Sequence, residues 1–255
     1  MGWWERTAGW LGVALAGYGL ALSPLLRVQQ VEVRPWPGQP AGTLPAAVKE
    51  DLLARASFAF GEPLLAVEAG RLAQAAASLP YVARVRVRRV LPGTLAVEVQ
   101  PRQAVAQLAY GSAFVEVDGQ GRVLGPALHA AGSLPLLTGV LGPGEAVTAG
   151  EPGPLPVVAA AMAAAAAGPV LGERLSQVHV EGETGQLMLF LSDGSRVVWG
   201  EGGEKALQEE FHRERARLLA RIWPRLSQGQ AFQADLSDPG RAVWSVQPGP
   251  QPSGR

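Results

Sequence analysis

Residues able to support acid–base or metal chemistry are scattered along the 255-residue chain. The three histidines, His129, His179 and His212, lie in separate predicted elements, and none has a second histidine or a cysteine at metal-ligand spacing. The segment DGQGRVLG, residues 118–125, is one residue off a dinucleotide-binding fingerprint, but Gly125-Pro126 stands where a helix should begin. This segment is therefore predicted to form a hairpin turn.

The carboxylates show no reactive arrangement either. Asp118, Asp193 and Asp235 each lie in or beside a predicted turn, where a carboxylate accepts hydrogen bonds from backbone N–H groups. The sequence contains no Gly-x-Ser-x-Gly, no phosphate loop and no His-Glu-x-x-His. The absence of cysteine excludes thiol catalysis and disulfides. We therefore predict that the protein is not an enzyme and uses no metal or cofactor.

The densest charge lies in one basic strand. Arg84, Arg86, Arg88 and Arg89 fall close together, whereas the whole chain has 22 basic and 22 acidic residues and no net charge. No aromatic residue alternates with these arginines to stack on bases, so no nucleic-acid partner is expected. The arginines are predicted to form a solvated face, with anionic lipid headgroups as an alternative ligand.

An apolar segment near the N-terminus predicts a membrane anchor. Residues 7–26, TAGWLGVALAGYGLALSPLL, contain no charge and are long enough as a helix to cross about 30 Å of hydrocarbon. The alternative is a signal peptide cleaved after Ser23. Pro24 directly after that site disfavours cleavage, and the apolar run exceeds the usual length of about 7 to 15 residues. We predict a short tail over residues 1–6 and a transmembrane helix over residues 7–26.

The order strand, helix, helix, strand, strand is predicted after the anchor. Residues 28–34 alternate as a short strand, and residues 44–56 and 64–79 repeat apolar side chains at helical spacing. The basic strand follows and is joined by the turn Leu91-Pro92-Gly93-Thr94 to a strand over residues 95–99.

The two faces of this predicted hairpin differ. Val82, Val85 and Val87 alternate with the arginines, so we expect the valines in the core and the arginines in solvent. Glu98 on the second strand is expected to lie near one of the arginines across the pair.

Residues 64–108, LLAVEAGRLAQAAASLPYVARVRVRRVLPGTLAVEVQPRQAVAQL, resemble the POTRA domain of the bacterial cell-division family FtsQ/DivIB. The matching landmarks are Leu79-Pro80-Tyr81-Val82, the arginine-rich strand, and Pro92 with Thr94 and Leu95 in the following turn. The resemblance implies a POTRA domain of β-α-α-β-β order, which we assign to residues 27–101.

The resemblance continues into a second, β-rich domain. FVEVDGQGRVLG, LPLLTG and FQADLSDPGRAVWSV, at residues 114–125, 134–139 and 232–246, resemble family landmarks in the same order. Between them the pattern predicts further elements: helices at 155–167 and 204–222, strands at 175–180, 186–191 and 196–199, and a turn at Asp193-Gly194. The predicted class is α+β, with helices on a mostly antiparallel sheet over residues 102–246 and a flexible tail at 247–255.

Membership of this family would imply a bitopic scaffold of the division machinery. Its N-terminus would lie in the cytoplasm and its two domains outside the inner membrane, at the division septum. It would dock small coiled-coil division proteins like FtsB and FtsL, and so recruit or regulate the septal peptidoglycan synthase. Two alternatives remain at this point: a POTRA-containing secretion or assembly factor, and a secreted ligand-binding protein with a cleaved signal peptide.

The partner-binding residues are predicted at the C-terminal strand, which consists of Arg241, Ala242, Val243, Trp244, Ser245 and Val246. A last strand followed by a Pro-rich tail has no later element to cover its free N–H and C=O groups, so a partner strand could pair with it. Trp244 is the expected anchor of the interface. The alternative is a core tryptophan that closes the end of the domain.

Overall fold

The computed structural model describes residues 26–129, 132–182, 184–226, 230–238 and 240–246. The predicted transmembrane helix, except for Leu26, and the predicted tails at residues 1–6 and 247–255 lie outside these ranges. The chain divides into two compact units, the first ending at Pro101 and the second beginning at Arg102.

The first unit has the predicted order of elements. It consists of β1 (Gln30–Pro35), α1 (Ala46–Arg55), α2 (Ala69–Ala77), β2 (Val82–Val90) and β3 (Thr94–Pro101). In the three-stranded sheet β3 lies in the centre, parallel to β1 and antiparallel to β2. This is the β-α-α-β-β arrangement expected of a POTRA domain.

The second helix begins later than predicted. The sequence favoured a helix from residue 64, but α2 starts at Ala69. Leu64 and Val67 are buried as the apolar pattern required, yet they lie in a turn in which the N–H of Val67 donates to Pro63 O. The helical spacing of these apolar residues therefore led to a predicted helix that is too long, because they are buried by a turn rather than by a helix.

The two faces of β2 are confirmed. Arg84, Arg86 and Arg88 are exposed, whereas Val85 and Val87 are half-buried and pack against the core of the first unit. Glu98 lies opposite Arg86 in the register of β2 and β3.

Arg86 makes more contacts than a freely solvated side chain. Its Nε donates to Glu98 Oε2 at 2.8 Å, and its guanidinium lies 5.3 Å from the centre of the Trp36 ring. Glu98 itself is only 8 % exposed. Arg86 thus compensates the charge of a buried carboxylate on the outer face of the sheet.

Substitutions on β2 should separate these roles. Val85→Ala and Val87→Ala should each lower the free energy of unfolding of the first unit by about 1 kcal/mol, because half-buried methyl groups are lost. Arg84→Ala should change it by less than about 0.5 kcal/mol. Arg86→Ala should cost about 1 kcal/mol, because Glu98 loses its closest charged partner. Urea unfolding measures all four, and a larger loss for Arg84→Ala than for the valine variants would reverse the assignment of the faces.

The second unit is built on one nine-stranded sheet. Its strands are β4 (Ala104–Tyr110), β5 (Ala113–Asp118), β6 (Val123–Pro126), β7 (Leu136–Thr138), β8 (Leu175–Val180), β9 (Gln186–Leu191), β10 (Arg196–Glu201), β11 (Phe232–Asp238) and β12 (Arg241–Val246). The sheet order is β12-β11-β10-β9-β8-β7-β4-β5-β6. Five of the eight neighbouring pairs are antiparallel, as expected.

Two helices complete the core of the second unit. α3 (Leu155–Leu171) and α4 (Glu209–Leu226) contribute buried side chains to the same apolar cluster as the strands. Residues Leu155–Arg174, which include α3, are the one segment of the described residues that is long and apolar enough to span a membrane. Because the α3 side chains from Val157 to Leu171 that face the sheet are buried in this cluster, the apolar composition of the helix reflects its place in the core.

Two of the three carboxylates predicted at turns, Asp118 and Asp193, adopt that role, whereas Asp235 lies within β11 and accepts from Ser237 N at 2.8 Å. Asp118 Oδ1 accepts hydrogen bonds from the N–H groups of Gln120 and Arg122 at 2.9 and 3.0 Å in the β5–β6 hairpin, which is the predicted turn at residues 118–125. Asp193 Oδ1 accepts from Ser195 N at 2.9 Å. Asp118 and Asp193 therefore fix turns.

Candidate functional site

The strand predicted to bind a partner lies at an edge of the large sheet. Residues 241–246 form β12, which pairs antiparallel with β11, and no other strand of the described residues flanks it. Successive N–H and C=O groups of a strand point to opposite sides, so half of those in β12 face away from the sheet. The expected edge position is thus observed, and the edge offers backbone donors and acceptors to an extended chain.

Apolar side chains accompany this edge on both faces of the sheet. Trp244 lies opposite the buried Ala234, on the face that carries the helices, and is 38 % exposed. Val243 lies opposite Asp235 on the other face and is 53 % exposed. The other residues of β12 are also exposed, except for Ala242, which is half-buried against the core. Trp244 is therefore not the core tryptophan of the alternative interpretation.

A shallow groove lies beside the edge. It is lined by residues of β10, β11 and β12, among them Arg196, Val198, Gln233, Asp235, Val243 and Ser245. Arg196 Nη2 donates to Gln233 Oε1 at 2.8 Å across the parallel pair β10–β11. The groove thus combines an apolar edge with groups of both charges, which suits a peptide with alternating side chains better than a small molecule.

Arg215 of α4 fixes the strand on which β12 is built. The side chain is 5 % exposed, with Nε donating to Trp199 O at 2.6 Å and Nη2 donating to Ser237 O at 3.0 Å. These carbonyl groups belong to β10 and β11. Burial lowers the pKa of Arg215 from its usual value, but a guanidinium remains charged at neutral pH. One buried cation therefore joins α4 to two neighbouring strands.

The backbone near Arg215 requires glycine. The register of β9 and β10 shifts between Val198 and Gly200, and Gly200 has φ of +140°. A Cβ at this position would lie 2.8 Å from Arg215 Nε. The irregular strand and the buried guanidinium thus occupy adjoining space.

His212 forms a second buried polar contact one turn before Arg215. Its Nδ1 accepts a hydrogen bond from Trp199 Nε1 at 3.0 Å, and its Nε2 lies 2.8 Å from Ala206 O. Since the indole can only donate, His212 is neutral with its proton on Nε2. Burial lowers the pKa of His212, and the charge of Arg215 adds to this effect.

The stability of the second unit should consequently depend on pH. In the unfolded chain the pKa of a histidine is about 6.5, which is above that of His212 in the fold, so the unfolded state binds the proton more readily. The contribution of neutral His212 is complete above about pH 6.5 and is lost as pH falls through its folded-state pKa. We expect His212→Gln to flatten the dependence of urea unfolding on pH between about 7.5 and 5. His129→Gln, at an exposed histidine, is the control, and an unchanged slope in His212→Gln would contradict the assignment.

The other two histidines each contact a side chain of another segment. His129 Nδ1 lies 2.9 Å from Glu116 Oε1, and His179 Nδ1 lies 2.8 Å from Thr138 Oγ1. Across the described ranges, no three histidines or carboxylates are grouped so as to hold a metal ion.

The roles of Arg215 and His212 were not predicted. A signal was present, because both residues share the apolar stripe of α4 with Leu218, Leu219 and Ile222, all of which are buried. A polar side chain within an apolar stripe indicates a buried hydrogen-bonding group.

Comparisons with known proteins agree with this architecture. The family model described as "POTRA domain, FtsQ-type" matches residues 46–102, and that described as "Cell division protein FtsQ/DivIB, C-terminal" matches residues 104–238. The second match alone covers more than half of the chain.

Two curated relatives carry the name "Cell division protein FtsQ". The protein of Anaeromyxobacter sp. (strain K) is 28% identical over 213 residues, which are 82% of this chain and 69% of that protein. The protein of Mycolicibacterium smegmatis (strain ATCC 700084 / mc(2)155) is 31% identical over 212 residues, which are 80% of this chain and 57% of that protein. With both of its units matched by family models, the chain belongs to the FtsQ/DivIB family of cell division proteins.

Proposed function

We propose that the chain is a membrane-tethered scaffold of the division machinery, and that β12 docks a small coiled-coil partner like FtsB or FtsL. The observation that carries this proposal is the exposed edge formed by β12, with Val243 and Trp244 beside the backbone groups that face away from the sheet. Main-chain hydrogen bonds to an added strand supply affinity, and Trp244 supplies an apolar anchor. Docking in turn helps to recruit or regulate the septal peptidoglycan synthase.

The proposed topology has the N-terminus in the cytoplasm, one span at residues 7–26, and the domains at 27–101 and 102–246 outside the inner membrane, at the septum. It is supported by the uncharged apolar run and by membership of the family. The same membership favours cell division over a secretion or assembly factor. Mass spectrometry of the mature chain tests the tether, because cleavage after Ser23 would instead indicate a secreted binding protein.

Co-purification tests the docking role. Tagged full-length chain extracted from membranes is expected to retain small coiled-coil division proteins, whereas a matched chain truncated before residue 241 should lose them. Recovery of wall-synthesis enzymes without any small coiled-coil protein would contradict the assigned partner. Equal recovery by both chains would show that β12 is not the docking edge.

A further inference from the structure

The large apolar side chains exposed in the described part of the first unit belong to two chain segments, residues 58–65 and 90–91. They are Phe58, Phe60, Leu65, Val90 and Leu91, with exposed fractions of 40%, 50%, 59%, 40% and 67%. We call this set the apolar end. Exposed apolar groups gathered in one region mark a surface that is covered by something else.

Backbone hydrogen bonds hold the segments of the apolar end against the start of the unit. Leu64 N donates to Leu26 O at 2.7 Å and Gly61 N donates to Val28 O at 3.0 Å, which fixes the segment that bears Phe60 and Leu65. Gln29 N donates to Gly93 O at 2.8 Å, which fixes the turn that bears Leu91.

Side-chain bonds tie the same segments together. Arg27 Nη1 donates to Gly61 O at 2.7 Å, and Arg89 Nε donates to Leu64 O at 3.0 Å. A Cβ on Gly93 would lie 2.4 Å from Arg27 O, so the turn packs directly on the incoming chain. The apolar end is therefore an ordered surface built around residues 26–29.

The chain reaches this surface from the predicted membrane span. Residues 7–26 form the uncharged run, and its last residue, Leu26, accepts the hydrogen bond from Leu64. A span that ends at Leu26 places the apolar end next to the bilayer surface, since Leu26 and Val28 bond directly to the segment that bears Phe60 and Leu65. We propose that the apolar end inserts its side chains into the outer interface of the lipid bilayer.

The charges around the apolar end fit a lipid surface. Arg27 and Arg89 lie among its segments, and the guanidinium of Arg71 lies 5.1 Å from the centre of the Phe58 ring. Arginines beside exposed phenylalanine and leucine can bind lipid phosphates while the apolar groups enter the interface. Glu62 and Glu68 lie in the same part of the chain, and their carboxylates partly offset the charge of the arginines. Contacts of the arginines with individual lipid phosphates, rather than net charge alone, would therefore select this orientation.

Insertion has a consequence that a tether alone lacks. A single helix connected to a folded unit leaves that unit free to rotate over the membrane. Contact by Leu65 and Leu91, which lie on separate segments, fixes the orientation of the first unit relative to the bilayer. This inference rests on the proposed membrane span, and its test distinguishes the two.

The absence of cysteine in the chain allows a direct test. Single cysteines replace Leu91 or Leu65 in the full-length chain, each carries an environment-sensitive fluorophore, and the protein is reconstituted into phosphatidylglycerol–phosphatidylethanolamine vesicles. Arg84→Cys is the matched control, because it lies on β2 about 20 Å from Val90 along the strand. We expect blue-shifted emission at positions 91 and 65, with quenching by nitroxide-labelled acyl chains, and neither effect at position 84.

A second variant tests whether positions 91 and 65 enter the bilayer together. Leu91→Asp combined with the label at position 65 should reduce quenching at that label, with folding verified by circular dichroism. Extraction with alkaline carbonate checks the span in the same vesicles, and release of the chain would overturn the span together with the inference.

If the chain stays in the vesicles during carbonate extraction but the labels at positions 91 and 65 remain in water, the inference is overturned while the membrane span stands. A blue shift without quenching by lipid would also overturn it, because it would show that protein covers the apolar end.

Discussion

Of the two variants Val243→Pro and Trp244→Pro, one is expected to weaken partner docking without unfolding β12. Successive N–H groups along a strand point alternately toward its neighbour and away from it. One of these two residues therefore directs its N–H to β11 and the other to the open edge. Proline at the outward position removes a donor and places its ring in the path of an incoming strand. We expect the affinity for the coiled-coil partner to fall at least about tenfold, which corresponds to about 1.4 kcal/mol.

Proline at the inward position should act differently, because it breaks the pairing of β12 with β11 and lowers the stability of the edge. Circular dichroism and hydrogen exchange of residues 232–246 separate the two outcomes. Val243→Thr is the matched control, since it keeps both the N–H group and a β-branched side chain. If both proline variants fold and bind with unchanged affinity, the edge is not the docking surface, and the exposed side of α4 becomes the next candidate.

Arg215→Ala is expected to destabilise the second unit strongly. The guanidinium donates to the buried carbonyl group of Trp199, to the half-buried carbonyl group of Ser237, and to Phe211 O at 3.1 Å. Loss of a charged donor leaves these acceptors without their partner, at a cost of about 2 to 4 kcal/mol in the free energy of unfolding. Urea unfolding of the second unit measures this loss.

The same helix provides a matched control for Arg215. Arg213 lies two residues earlier, is exposed, and pairs with Glu209 and Glu210. Arg213→Ala should cost less than about 0.5 kcal/mol, because exposed ion pairs contribute little. Because Ser237 lies in β11, hydrogen exchange in β11 and β12 should rise in Arg215→Ala. Equal stability of the two variants would show that Arg215 is not required to hold the edge.

Local patterns in the sequence were sufficient for much of the architecture. The strands at 175–180 and 186–191 have the predicted bounds, because alternating burial of side chains at period two is a property of the strand itself. The turns at Asp118 and Asp193 followed from side chains that accept hydrogen bonds from nearby N–H groups. The alternation of valine and arginine also gave the correct faces of β2.

Local patterns failed where distant segments decide the outcome. The start of α2 was predicted too early, because burial of Leu64 depends on the core rather than on a helical backbone. Arg215 was not identified, because its acceptors on β10 and β11 are 16 and 22 residues away in sequence. The apolar composition of α3 is compatible with a membrane span and with a protein core, and only its packing on the sheet distinguishes them.

The sequence by itself determined the order of the elements, the core face of β2 and the family resemblance, because these depend on residues close together along the chain. Tertiary structure decided the surroundings of the edge strand. The sequence could indicate that β12 comes last. The exposure of Trp244 and the support of this edge by Arg215, however, depend on the parallel pairing of β10 with β11, which α4 connects along the chain. That pairing joins residues far apart in sequence. The free energy spent in closing the loop between them is recovered only when the strands and the helix pack together, so local patterns do not reveal it.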